Sequence, residues 1–441
     1  MFTESLHGHP LVMQKNIFIP ALTDQQRDKL DTLSNADELR FHSLLDYTSL
    51  IEPETYVFQD LLDRARKQLD EFDGSIDGIV AHWDFPTSVL APILAAERGL
   101  PAPTLRSLLQ CEHKAWSRIE QKKSIPECVP GFAVFDPFDD NALDSIDLSF
   151  PFWVKPIKSH SSQLGFEIEN AEQFAAALEQ IRAEIGRVGD AFDEVLSMVE
   201  LPPELEGVGG NMCLAEDIIT GIQVAPEGTM FNGEYNIHEF FDMRKDDAGH
   251  SFDRLDYPAQ SVPDDVQQRM IDLTERYLRH IGFDNGCFNT EFMWDEKTGK
   301  LSLIEVNTRI SQSHSDLFVK VDGTSNHEVA IDIALGVEPR IEKGRGRYRH
   351  AAQCHIGYYS DGIVRSVPSA DDLARVCEEI PDTLVDIKVR VGDRLSELPN
   401  QDGYRTVLAT LYIGADDIGG LEKYFDRASE LLPFGIDAIS E

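Results

Sequence analysis

The sequence predicts an α/β fold with more than one domain, and three observations support this prediction. Strands and helices alternate over residues 15–103, which is typical of a parallel sheet covered by helices. Amphipathic helices and long hairpins follow, and they indicate a mixed α+β region. A chain of 441 residues is also long for one hydrophobic core, so about two to four domains are expected.

The first part of the chain predicts three strands that alternate with helices. The expected elements are a strand over 15–22, a helix capped by Thr23 or Asp24, a strand over 38–45, a helix over 55–72, a strand over 75–86, and a helix over 88–103 closed by Gly99 and Pro101. His82, Trp83 and Asp84 follow the third strand, at the end where parallel sheets bind ligands. These three side chains either bind a substrate or only pack, and the sequence leaves both open.

The middle and last parts of the chain predict longer elements. A strand ends at Lys155, a Ser-rich loop follows it, and Lys158 in that loop is expected to be a solvated surface lysine. The other expected elements are a helix over 111–121, a helix over 170–189, a β-meander over 212–244 with turns at Gly221, Gly228 and Gly233, a helix over 264–282, a hairpin over 287–307, a linker over 342–350, and β-segments with a final helix beyond it.

Composition and charge exclude several classes of protein. The net charge of −38 repels phosphates, so it argues against nucleic acids and anionic membranes as partners. A polyanion could bind only through a local cluster of Lys, Arg or metal. No run of about 18 apolar residues predicts a membrane span. No signal peptide is expected, and six scattered cysteines without a CxxC pair suggest reduced thiols, so the expected location is cytoplasmic.

Polar residues interrupt the second strand of the hairpin, in the stretch LSLIEVNTRISQSH over 301–314. Strict alternation would place Glu305 and Asn307 on the same face as Leu301 and Leu303. If Asp295 pairs with Leu301, Glu291 on the first strand lies opposite Glu305.

Two glutamates facing each other across a hairpin have Cβ atoms about 5 Å apart, and their charges repel, so they must share a proton or bind a cation. The donors are two carboxylates, Glu291 and Glu305, and the amide carbonyl of Asn307. Such hard oxygen ligands favour Mg²⁺ or Mn²⁺. The alternative is a solvent-facing hairpin whose two glutamates never meet. Whether the downstream residues Ser311, Gln312, Ser313 and His314 touch a substrate stays undecided.

The order of these motifs resembles the ATP-grasp superfamily of ligases. The matching stretches are CEHKAWSR, PFWVKP, SHSSQLG, LAEDIITG and IEVNTR, and the resemblance covers about residues 80–340. It implies an ATP-grasp fold in an arrangement similar to that of biotin carboxylase. The implied divisions are an N-terminal Rossmann-like domain over 1–110, an ATP-grasp domain over 111–341 with a nucleotide-covering subdomain over about 150–215, and a C-terminal mixed α/β domain over 342–441.

The resemblance also implies site residues. The two implied to act in catalysis are Arg309 and Lys155. The implied nucleotide ligands are Lys114 and Lys155 for the phosphates, Ser161 and Ser162 in the closing loop, Glu216, Asp217 and Ile219 at the adenine hinge, and either Gln223 or Glu227 at the ribose. For Lys158 the alternative to a solvated loop lysine is a second contact to the phosphates. Those implied to hold Mg²⁺ or Mn²⁺ are Glu291, Glu305 and Asn307.

The activity implied by the resemblance is that of an ATP-dependent carboxylate–amine ligase. Such an enzyme activates a small carboxylate as an acylphosphate, joins it to an amine such as an amino acid or peptide, and releases ADP and phosphate. Two alternatives remain: bicarbonate activation as in biotin carboxylase, and a non-catalytic ATP-binding scaffold. For the first alternative, no biotin segment is fused within this sequence, because no Met-Lys dipeptide occurs. The sequence does not identify the substrates, and it does not distinguish an amine acceptor from a thiol acceptor. It also leaves the oligomeric state open, for which a homodimer is a candidate.

Overall fold

The computed structural model describes residues 14–53, 55–159, 164–245, 252–398 and 405–439. Within these ranges parallel and antiparallel sheets are combined with helices, which confirms the predicted α/β class. Ser161 and Ser162 of the expected closing loop lie outside the described residues.

The N-terminal region is a parallel sheet in which β1 (Lys15–Pro20) lies between β2 (Leu39–Leu44) and β3 (Gly78–Ile79), as the alternating pattern predicts. Thr23 caps the first helix: its hydroxyl accepts from the Gln26 amide at 3.2 Å, and the Gln26 side chain accepts from the Thr23 amide at 3.0 Å. The third strand is shorter than expected. The elements are β1 Lys15–Pro20, α1 Asp24–Leu30, β2 Leu39–Leu44, α2 Tyr47–Leu50, α3 Phe58–Asp70, β3 Gly78–Ile79 and α4 Thr87–Glu97.

The helix expected over 111–121 is two helices, because His113 ends one and begins the next. The extended backbone of His113 breaks the helical path, and its Nδ1 caps the second helix by accepting from the Trp116 amide at 3.1 Å. The helix expected over 170–189 is likewise divided, at Ile185. The elements are α5 Leu105–Glu112, α6 Lys114–Ser124, β4 Phe132–Phe135, β5 Phe152–Pro156, β6 Phe166–Ile168, α7 Ala171–Glu184, α8 Gly186–Leu196 and β7 Cys213–Asp217.

The β-meander expected over 212–244 belongs to two different sheets. Strand β7 lies in a four-stranded sheet of order β4-β7-β5-β6, whereas the next two strands, β8 Ile222–Phe231 and β9 Glu234–Lys245, belong to a larger sheet. Gly221 connects them with φ +135°, and a Cβ there would lie 2.3 Å from the Trp294 carbonyl oxygen. Gly228, expected at a turn, instead lies inside β8 at a bulge.

The larger sheet has the order β12-β11-β8-β9-β10-β13-β16-β15 and continues across the predicted boundary at residue 342. The segment over 342–350, expected to be a linker, packs on the helix Gln312–Asp322. The Gly346 amide donates to the Val321 carbonyl, and the Tyr348 amide donates to the Lys320 carbonyl. The remaining elements are β10 Phe252–Tyr257, α9 Asp264–Ile281, β11 Gly286–Asp295, β12 Lys300–Asn307, α10 Gln312–Asp322, α11 Asn326–Ala334, β13 His350–Tyr358, β14 Gly362–Ser366, α12 Ala370–Glu379, β15 Leu384–Ile387, β16 Thr406–Ala415, α13 Ile418–Leu431 and β17 Gly435–Ala438.

Both faces of this sheet are covered in its middle. Val224, Phe288 and Phe292 pack on α9 on one face, and Phe241 and Leu255 pack on α10 on the other. The four-stranded sheet and the N-terminal region lie beside the β11–β12 end, where the candidate site is found. Short 3₁₀ turns occur at Ala36–Glu38, Pro126–Cys128, Ala142–Ser145, Pro203–Leu205 and Leu395–Glu397. Among the described residues, no helix is both long and apolar enough to span a membrane.

Candidate active site

The β11–β12 hairpin brings Glu291 and Glu305 opposite each other, with Asn289 opposite Asn307. The strands begin in a different register from the one expected, because Asp295 pairs with Lys300 and not with Leu301. A bulge at Ile304, which has no partner on β11, restores the predicted pairing of the glutamates.

The bulge also changes which face these side chains occupy. Leu301, Leu303 and Val306 belong to one hydrophobic core, although strict alternation would put Val306 on the opposite face from the two leucines. Glu305 and Asn307 therefore point away from that core. The expectation that they share a face with Leu301 and Leu303 is wrong, because the extra residue in β12 reverses the alternation.

Arg118 on α6 binds the backbone at this bulge. Its Nη1 donates to the Leu303 carbonyl at 2.7 Å and its Nη2 donates to the Ile304 carbonyl at 2.9 Å. Strand β12 is an edge strand, so its outward carbonyls need partners from outside the sheet. The guanidinium supplies them and stabilises the irregular backbone next to Glu305.

The two facing carboxylates are an electrostatically unfavourable pair. Burial and, next, the charge of Glu305 raise the pKa of Glu291 to about 8. The Asn307 side chain lies 3.5 Å from Glu291 Oε1. Among the described residues no group of three or more His, Cys, Asp or Glu is arranged to hold a metal. Two carboxylates and an amide oxygen nevertheless fit Mg²⁺, which takes few protein ligands and keeps positions for water or phosphate.

Lys114 lies close to this pair at the start of α6. Its Nζ donates to the Ser159 carbonyl at 2.9 Å and to the Ser159 hydroxyl at 3.3 Å. Burial lowers the pKa of Lys114 to about 8, the charges of Lys158 and Lys155 add to this shift, and Glu305 opposes it. Within the part of the chain that the structure describes, Lys114 makes no ion pair, so its charge is available to an anionic ligand.

Glu216 on β7 lies between two cations. Its carboxylate is paired with Arg118, and its Oε2 lies 2.5 Å from the Lys155 Nζ. Burial opposes ionisation of Glu216, but the Arg118 and Lys155 charges outweigh burial and lower its pKa to about 2. Glu216, which is expected to contact adenine, therefore also binds Lys155, which is expected to contact phosphate.

The other expected hinge residues connect the two sheets. Asp217 is exposed, and its carboxylate accepts from the Gly131 amide at 2.9 Å. Ile219 lies partly buried in the segment between β7 and β8.

The two candidates for ribose binding differ in access. Gln223 is partly buried and its amide donates to Glu291 Oε2 at 2.9 Å. Glu227 is 1% exposed, and it accepts from His314 Nδ1 at 2.5 Å and Asn326 Nδ2 at 2.7 Å. Both oxygens of Glu227 are therefore engaged, which leaves Gln223 as the more accessible of the two.

Arg309 connects the hairpin to the N-terminal region. Its Nε lies 2.8 Å from Asp84 Oδ1 and its Nη2 lies 2.7 Å from Asp84 Oδ2, a bidentate pair. Burial opposes the charged form of Arg309, but Asp84 outweighs it and raises the pKa of Arg309 above its ordinary value. Asp84, one of the residues left open by the sequence, thus lies at the site.

The neighbouring polar residues bond to protein groups. The Gln312 side chain donates to the His82 carbonyl at 2.6 Å, and the Ser311 and Ser313 hydroxyls lie 2.7 Å apart. His82 Nε2 lies 3.1 Å from His327 Nδ1, and burial lowers the pKa of His82 to about 3. His82 is therefore neutral at physiological pH.

Sequence reasoning did not identify Arg118 or Glu112 as site residues, and it favoured a solvated position for Lys158. Arg118 lies one helical turn after Lys114, a spacing that could have identified it. Lys158, expected on the surface, is buried and paired with Glu112, so that expectation is wrong. No sequence signal relates Lys158 to Glu112, which lies in another element.

Comparison with known sequences identifies the central region. The family model described as an ATP-grasp domain matches residues 148–315. The large chains of carbamoyl phosphate synthase from Xylella fastidiosa and Thermus thermophilus are each 39% identical over 79 residues, or 18% of this chain. This chain covers only 7% and 8% of the length of those two proteins.

Solved structures match nearly the whole chain. An L-amino acid ligase from Bacillus licheniformis has a TM-score of 0.71 at 17% identity, with 97% of this chain and 99% of that chain covered. A carboxyaminoimidazole ribonucleotide synthase from Aspergillus clavatus, complexed with ATP, has a TM-score of 0.66 at 14% identity, with 95% and 98% covered. A biotin carboxylase from Campylobacter jejuni has a TM-score of 0.60 at 13% identity, with 96% and 93% covered. The solved structures confirm the predicted fold over nearly the whole chain, and the family model identifies residues 148–315 as an ATP-grasp domain.

Proposed function

We propose that this protein is an ATP-dependent carboxylate–amine ligase that acts on small metabolites, with amino acids as the first class to test. The observation that carries the proposal is the pair of facing carboxylates, Glu291 and Glu305, with Lys114 and Arg309 beside them. Adjacent acidic and basic groups of this kind suit a metal-bound triphosphate. The likeness to a structure named as an L-amino acid ligase supports amino acids as substrates.

In the proposed reaction, a substrate carboxylate oxygen attacks the γ-phosphorus of ATP, the bond to the β-phosphate breaks, and ADP leaves. The amine nitrogen then attacks the acyl carbon, expels phosphate and loses a proton. Lys114 and Lys155 bind and orient the phosphates, and Arg309 stabilises the charge that develops on the transferred group. Mg²⁺, held by Glu291, Glu305 and Asn307, would neutralise phosphate oxygens.

The metal assignment predicts that Mg²⁺ affinity depends on pH. Below about pH 8 the metal-free pair of Glu291 and Glu305 holds a proton, because burial and the facing charge raise the pKa of Glu291, and a bound cation must displace that proton. Affinity should therefore rise as the pH increases from about 6 to about 8 and level off above that. Calorimetry in two buffers of different ionisation enthalpy would measure the released proton. Mg²⁺ binding with no proton release at neutral pH would contradict the assignment.

The assignment of Lys155 predicts a loss of nucleotide affinity in Lys155→Ala. A hydrogen bond between charged partners contributes about 1.5–3 kcal/mol, so the Kd for ADP should rise about 10- to 100-fold. Lys297→Ala, which removes an exposed lysine in the hairpin turn, is the matched control and should bind ADP like the unchanged protein. An unaltered Kd in Lys155→Ala, measured by calorimetry, would remove Lys155 from the site.

A screen for ADP release, with carboxylates tested against amines and products identified by mass spectrometry, tests the ligase activity itself. Amino acids form the first panel, and thiols and bicarbonate are included to test the other acceptors and the biotin-carboxylase-like reaction. A ligated product confirms the proposal. ATP binding without ADP release across the whole panel would favour a non-catalytic scaffold. The cytoplasmic location, the domain boundaries and a homodimer stay predictions.

A further inference from the structure

A buried ion pair beside the site has no role in the function described so far. Lys158, two residues beyond the end of β5, is paired with Glu112 at the end of α5. Each side chain is 6% exposed. An ion pair buried this deeply loses much of its attraction to the cost of desolvating both charges, so stability alone does not account for it.

The pair lies next to the segment that carries the proposed catalytic groups. The Thr308 hydroxyl donates to Glu112 Oε1 at 3.1 Å, while Lys158 is paired with Glu112 Oε2. Thr308 stands between Asn307 and Arg309 in the sequence. The carboxylate of Glu112 therefore lies between the Lys158 ammonium group and the segment Asn307–Arg309, and it contacts both.

The same ammonium lies near the other lysine expected to meet phosphate. The charge of Lys158 contributes to the lowered pKa of Lys114, and Lys114 is bonded to Ser159, the next residue after Lys158. The two ammonium groups are therefore close enough to repel each other, and an anion bound by both would relieve this repulsion.

Aromatic rings hold the Lys158 ammonium without taking up its hydrogen-bond donors. The Nζ is 5.7 Å from the ring centroids of both Phe85 and Phe192. Cation–π attraction stabilises the charge there. Among the described residues Glu112 is the hydrogen-bond acceptor found for this ammonium, so it is the group with which an arriving anion competes.

On the basis of the proposed ligase function, we propose that Lys158 is a further triphosphate-binding residue, which exchanges Glu112 for a phosphate oxygen when the nucleotide binds. Glu112 is then a positioning residue that holds the ammonium in place before binding. A triphosphate carries more negative charge than one carboxylate, so it competes well for the ammonium. The exchange involves no covalent step.

The test compares the affinities of the full-length protein for AMP and for a non-hydrolysable ATP analogue, both with Mg²⁺, by calorimetry. Lys158→Met keeps the length of the side chain and removes its charge. We expect the affinity for the ATP analogue to fall about 10- to 100-fold and that for AMP to change little. Lys123→Met is the matched control, because Lys123 also pairs with glutamate, at 3.1 Å from Glu120, but lies largely exposed on α6.

Glu112→Gln provides a second test that does not depend on the folding of Lys158→Met. The amide can still accept from Lys158 but competes less with phosphate, so this variant should bind the ATP analogue at least as tightly as the unchanged protein. Equal losses for AMP and the analogue in Lys158→Met, no loss for either, or weaker analogue binding in Glu112→Gln would each overturn the proposal. Failure of the unchanged protein to bind any adenine nucleotide would instead refute the ligase function.

Discussion

Glu305→Gln is expected to abolish Mg²⁺-dependent ADP release while the protein remains folded. The substitution keeps the size of the side chain and removes the carboxylate that faces Glu291 across the hairpin. A neutral amide is a weaker ligand for Mg²⁺ than a carboxylate, so turnover should fall by about 100-fold or more. Folding should be preserved, because glutamine has nearly the same size and shape as glutamate, and because the neutral amide removes a charge that raises the pKa of Glu291.

Glu296→Gln is the matched control for this experiment. Glu296 lies exposed in the turn of the same hairpin, so its loss changes the total charge equally without changing the site. ADP release and thermal unfolding are measured for both variants over a range of Mg²⁺ concentrations. Full activity in Glu305→Gln would show that this hairpin does not hold the catalytic metal.

The predicted pairing of Glu291 with Glu305 was correct although the reasoning about faces was not. Alternation in the sequence describes a regular strand, whereas β12 contains a bulge at Ile304. At that bulge the Leu303 and Ile304 carbonyls accept hydrogen bonds from Arg118, on a helix nearly two hundred residues earlier in the chain. The alternation of residues along one segment carries no information about contacts with distant segments. The sequence could therefore predict the hairpin but not its irregular register.

Contacts between distant segments also explain what the sequence missed around Lys158. A lysine in a Ser-rich loop is usually solvated, because charged side chains are rarely buried without a partner. The partner here is Glu112, on a helix that precedes β5 and lies in another layer of the fold. Motif order predicted the positions of Lys114 and Lys155 because those residues belong to recognisable stretches. Glu112 lies in one of these stretches, CEHKAWSR, but the motif assigns it no role, and Asp84 lies in none. Their contacts with Lys158 and Arg309 become apparent only in three dimensions.

Arg309→Lys is expected to lower kcat about 100- to 1,000-fold with little change in the Kd for ATP. Lysine keeps the positive charge but has no planar fork, so it cannot reproduce the bidentate contact of Arg309 with Asp84. The charge would then no longer be fixed where negative charge develops on the transferred phosphoryl group. Because Asp84 comes from the N-terminal region, Asp84→Asn should also lower kcat, by a smaller factor of about 10.

Steady-state kinetics and nucleotide titrations on both variants separate this role from simple binding. Arg276→Lys is the control, since the Arg276 guanidinium pairs with Glu127 at 2.7 Å on the surface and should tolerate the change. Parallel losses of kcat and ATP affinity in Arg309→Lys would mean that Arg309 binds the ground state and not the transition state. Unchanged kcat would exclude it from catalysis. A loss in Arg309→Lys alone, with Asp84→Asn fully active, would show that the guanidinium acts without its anchor in the N-terminal region.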